Sequence, residues 1–114
     1  MSKTVCTALM LLLVAVAIPA TAPAQCPYTN PESVAFDAAS NRYFVSNFGG
    51  NSITEIDSNG TQTCFKTGII DPLGIHLLHN TLYVSNLNFL TGYDITTGDT
   101  VMSLYLPTPR WLDG

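Results

Sequence analysis

The stretch Asn41-Arg-Tyr-Phe-Val-Ser-Asn47 returns as Asn80-Thr-Leu-Tyr-Val-Ser-Asn86, and the copies run on into Ile53 to Asp57 and Leu90 to Asp94 respectively. Upstream of each copy sits a matching opening, Pro31 to Asp37 against Pro72 to Leu78. An internal repeat of about 40 residues signals a solenoid, a propeller or an array built from one supersecondary unit. No lone hairpin fills such a unit. It must also contain whatever joins one hairpin to the next.

Within each unit, runs of β-branched and aromatic residues alternate with turn chemistry, and no helical period appears after the first 24 residues. The first unit predicts strands over Val34 to Phe36, Arg42 to Ser46, Ser52 to Ile56 and Thr61 to Thr67. The second predicts Ile75 to Leu78, Thr81 to Ser85, Phe89 to Tyr93 and Thr100 to Leu106. Between them lie Asn47 to Asn51, Asp57 to Gly60 and Thr96 to Gly98, rich in the residues that tighten turns. Four antiparallel strands per repeat define a β-propeller blade, so the expected fold is all-β. Blade one spans 31–71, blade two 72–108, and 109–114 reads as the start of a third.

The amino terminus reads as something removed. Lys3 is followed by an apolar run from Ala8 to Ala20 and by Ala22-Pro23-Ala24, with small residues where a signal peptidase reads them. That run is shorter than the roughly 20 residues needed to span a bilayer. Residues 1–24 are therefore expected to be a secretory signal, leaving Gln25 as the mature start and no membrane span. A lipid anchor on Cys26 would want a small residue before it, and Gln25 stands there. The compartment expected is extracellular or periplasmic.

The mature chain keeps Arg42, Lys66 and Arg110 against eight acids. A surface so poor in cations cannot neutralise a phosphate backbone or an anionic membrane, which argues against nucleic-acid partners. Two cysteines, Cys26 and Cys64, remain after Cys6 leaves with the signal, and an even pair in an oxidising compartment is a disulfide candidate. Asn59-Gly60-Thr61 matches a glycan acceptor, and Asn-Gly is equally a tight-turn pair.

The motifs "PESVAFD", "RYFVSN" and "SITEIDSNG" in one unit, and "PLGIHLL", "LYVSN" and "FLTGYDITTG" in the other, resemble the NHL-type and gluconolactonase-type six-bladed propellers. The likeness spans residues 31–106 and implies a fold used by lactonases, by strictosidine-synthase-like enzymes and by binding scaffolds alike. Two blades are fewer than the roughly four to eight that close a ring. The expectation is an amino-terminal piece of a larger propeller. The other reading is a short chain that completes its ring by self-association.

The repeat also separates scaffold from site. Ser46 with Ser85, Asn47 with Asn86, and Asp57 with Asp94 occupy matching places and are expected to serve the blade. Glu32 has no counterpart, since Leu73 stands at its place, and His76 faces Ala35. In the gluconolactonase group a Glu opening the first inner strand helps hold a divalent metal, so the resemblance implies that role for Glu32, with calcium as a fitting ion. One carboxylate cannot make such a site alone. His76, on a strand expected to line the channel, is a candidate base or ligand. His79 is expected at an exposed turn, and Trp111 packing between blades.

Two functions stay open. One is a secreted, metal-dependent lactone or ester hydrolase; the other is a non-catalytic propeller binding a protein, peptide or sugar on one rim. The sequence contains no G-x-S-x-G elbow, H-E-x-x-H, C-x-x-C or phosphate-cradling glycine loop.

Overall fold

The computed structural model describes residues 25–107, together with Ala15 and Ala17. The expected signal, Arg110, Trp111 and the expected start of a third blade lie outside the described residues. Eight strands form two four-stranded sheets: β1 (Pro31–Asp37), β2 (Arg42–Asn47), β3 (Ser52–Ile56) and β4 (Gln62–Thr67), then β5 (Ile75–Leu78), β6 (Thr81–Asn86), β7 (Phe89–Asp94) and β8 (Thr100–Tyr105). Each sheet is an antiparallel meander in sequence order, as a propeller blade requires.

Several strand ends shift by a single residue, and one boundary departs further from expectation. The first strand begins at Pro31, not Val34. Proline lacks a donor, yet at the first position of an edge strand no ladder bond is lost. The turns carry their positive φ values on Asn41, Asn51 and His79, and on Gly60 and Gly98. Short polar side chains and glycine tolerate that region best, which is why these residue types punctuate the chain.

The repeated polar residues do structural work, most within their own blade and Ser46 across to the next. Asp57 Oδ1 accepts the Asn59 and Thr61 amides at 2.8 and 2.9 Å. Asp94 Oδ1 accepts those of Thr96 and Thr97 at 2.7 and 3.0 Å, and these two amides hold its carboxyl below the ordinary carboxylate value. Ser46 Oγ donates to the Leu73 carbonyl at 2.7 Å, and Ser85 Oγ donates to that of Gly74 at 3.1 Å. Asn86 caps its own turn by accepting the Phe89 amide at 3.1 Å. Asn47 is fully buried and does more: its amide donates to Thr54 Oγ1 at 2.9 Å while its oxygen accepts the Thr29 amide at 3.2 Å.

The core lies between the two sheets. Phe44 and Ile53 of blade one meet Ile75, Leu82, Val84 and Tyr93 of blade two, with Ile69 and Ile95 from the connections closing the cluster. Phe65 joins by an irregularity in β4: the ladder pairs Ile53 with Lys66 and Thr54 with Cys64, so Phe65 is the extra residue of a bulge. Its ring meets Phe44 edge-on at 5.0 Å.

Cys26 and Cys64 are disulfide-bonded, with Cα atoms 4.8 Å apart. The bond pins residues 25–30 across the face of blade one turned away from blade two. There Thr54 Oγ1 donates to the Cys26 carbonyl at 3.0 Å, and the Phe48 and Gly49 amides donate to the Asn30 and Thr29 carbonyls. Among the described residues no helix is long and apolar enough to cross a membrane.

Candidate functional site: the inner strands and the cleft between blades

The innermost strands of the two blades, β1 and β5, run side by side, and the Ile75 amide donates to Ser33 Oγ at 3.3 Å across them. Glu32 and His76 are each one residue from that bond. Both are exposed. The ladder between β1 and β2 pairs Pro31 with Asn47 and Ser33 with Ser46, leaving Glu32 unpaired as a β-bulge. Bulges recur beside active sites because the extra residue re-aims its side chain. Sequence reasoning singled out Glu32 from the repeat and from the family resemblance; the structure places it at the bulge. His79 sits exposed at the β5–β6 turn with φ of 55°, a conformation that serves the turn.

A second polar constellation lies where the blades meet, and sequence reasoning missed it. Arg42 Nε donates to Asp37 at 3.0 Å, Nη1 to Glu55 at 2.9 Å and Nη2 to the Ile95 carbonyl of blade two at 3.1 Å. Asp37 also accepts from the Ser40 hydroxyl and the Ala39 amide. The Ser40 hydroxyl does most to hold the Asp37 carboxyl below its usual range; burial opposes it, and Arg42 assists. Burial alone would depress the Arg42 guanidinium, but its bonds to Glu55 and Asp37 outweigh that and raise it. On the same seam Lys66 Nζ donates to the Gly98 carbonyl at 2.8 Å and lies 5.1 Å from the Tyr93 ring centroid. Burial pushes the Tyr93 phenol up.

The signal that would have found these residues was present. Arg42 is matched by Thr81 in the second unit, so it passes the same single-copy criterion that selected Glu32. Its chemistry is spent, however. The guanidinium is shared among two carboxylates and a carbonyl, so the shallow cleft of about 160 Å³ beside it, also lined by Phe65 and Thr96, is walled by engaged groups. A further groove of about 210 Å³ runs between Ile70, Leu87 and Phe89, with Asn86 and Asn88 on its rim. Among the described residues no group of three or more His, Cys, Asp or Glu side chains converges as a metal cage.

Neither a protein-family model nor a curated protein matches the chain. Among solved structures it is similar to a streptogramin B lyase, with a TM-score of 0.61 at 14% sequence identity. The match covers 76% of this chain and 30% of that one, so this chain spans less than a third of the solved neighbour's length. At that identity the likeness carries the fold, and the fold is the β-propeller.

Proposed function

We propose that this chain contributes two blades to an extracytoplasmic β-propeller enzyme whose active site lies at the central channel, with Glu32 as one ligand of a divalent cation such as calcium. The observation that carries this reading is the position of Glu32: exposed, unpaired at a bulge, on the innermost strand and beside the strand bearing His76. A carboxylate suits a hard cation, which takes about six to eight oxygen ligands, so Glu32 supplies one and other blades supply the rest. When bound, such an ion would supply Lewis-acid chemistry suited to hydrolysis of a lactone or ester, with Glu32 holding it. His76, exposed on β5, is the group this reading assigns to proton exchange. The solved neighbour is by name an enzyme, which supports catalysis on this fold without indicating the reaction.

The disulfide supports an oxidising compartment, since cytosolic thiols are kept reduced. The test is thermal: calcium is expected to raise the melting temperature of the assembled propeller, and Glu32→Gln to remove the rise. An unchanged melting temperature in calcium retires the metal reading. The apolar groove at Ile70, Leu87 and Phe89 favours a second reading, a non-catalytic module that binds its ligand on one rim. Loss of binding on Phe89→Ala with no hydrolytic activity in the wild type would select it.

A further inference from the structure

The register of the repeat reveals what blade one's outer face is built to meet. Val34, Phe36, Tyr43 and Val45 occupy the same places as Ile75, Leu77, Leu82 and Val84 of blade two. In blade two those positions are core, with Ile75, Leu82 and Val84 at 6%, 0% and 1% exposure. In blade one the equivalent Val34, Phe36 and Tyr43 are 61%, 48% and 45% exposed, although the Phe36 and Tyr43 rings pack on one another at 4.7 Å. What covers the blade-two set is the far face of another blade, carrying Ala35, Phe44 and Ser46.

Blade two presents such a far face of its own. His76, Tyr83 and Ser85 stand at the places of Ala35, Phe44 and Ser46, and Leu104, at 51% exposure, extends the same surface onto β8. Tyr83 lies over Gly92, where an added Cβ would approach its ring to 3.4 Å. One molecule thus carries both halves of an interface it already uses once internally. The halves sit on opposite faces, so they cannot satisfy each other within the chain. A head-to-tail contact that repeats one rotation closes into a ring.

We propose that the part of this face left open beside residues 25–30, carrying Val34, Phe36 and Tyr43, is the docking surface for blade two of a second copy of this chain, and that copies joined head to tail close a propeller ring. With two blades per copy among the described residues, a ring of about four to eight blades needs two to four copies. The assembly deepens the reading above, because each copy brings its own Glu32 to the axis and the single carboxylate of one chain becomes part of a shared site.

The experiment measures mass, in chelator, so that its failure is distinguishable from failure of the cation reading. Residues 25–114, oxidised, are expected to give one discrete species of two to four chains by native mass spectrometry and sedimentation. Val34→Lys and Leu104→Lys alter exposed side chains on opposite faces, and each alone is expected to yield monomers. Mixed one to one, they are expected to form a heterodimer and stop there, since each variant retains the half that the other lacks. A wild type that stays monomeric at tens of micromolar, open fibres, variants that assemble like the wild type, or a mixture that stays monomeric would each overturn the proposal. So would a longer natural chain whose own later blade covers Val34.

Discussion

At the scale of single residues, charge placement decides more than charge number. The chain has only four Lys and Arg residues, and Arg42 spends itself on three acceptors drawn from both blades. Arg42→Met is expected to cost about 2 kcal/mol, the typical loss when hydrogen bonds to charged groups are removed. A urea midpoint measurement checks it. The folded Asp37 carboxyl titrates below its unfolded value. Its stabilisation is therefore complete above the unfolded value and is lost as pH falls through the folded one. Asp37→Asn should flatten that acid limb, so the stability difference between wild type and variant narrows from neutral pH to about pH 3. A difference that stays constant over that range would contradict the assignment. Asn47 shows what the repeat could not disclose. Its counterpart in blade two caps a turn, whereas Asn47 is sealed in a network with Thr54 and Thr29, because residues 25–30 lie across the face of blade one.

At the scale of elements, strand order and most strand boundaries were legible from alternation and turn residues, since a two-residue period and Asn or Gly punctuation are local properties. Two features were not. The bulges at Glu32 and Phe65 change no composition and depend on how the neighbouring strand is held, so no local pattern marks them. The disulfide was legible as a pairing but not in its role, which is to fasten residues 25–30 over blade one. Cys64→Ser is expected to lower stability by roughly 2–4 kcal/mol. It should also speed hydrogen exchange at the Phe48 and Gly49 amides, which that segment holds. Exchange unchanged at both amides would mean that the segment stays in place without the bond.

At the scale of the whole molecule, the two blades share one core, and neither buries its apolar face alone. Residues 72–107 by themselves are expected to show no cooperative thermal transition by circular dichroism, because Leu82 and Val84 lose Phe44 and Ile53. A sharp transition from that piece would show that a blade is self-sufficient. The candidate site was legible only in part for a related reason. Glu32 and His76 stand out as departures from the repeat, but among the described residues no group of three ligating side chains converges, so the repeat marks the two positions without naming their partners.

The Cys26–Cys64 bond encloses the greater part of the first blade and none of the second. It thereby sets a dependence between the halves. Blade one is the half the bond constrains, so in the oxidised chain it is expected to order first, with blade two condensing against it to complete the shared core. Oxidation of the chain would then be an early event in assembly, and the direction in which the sheets are added would follow the direction in which the chain emerges.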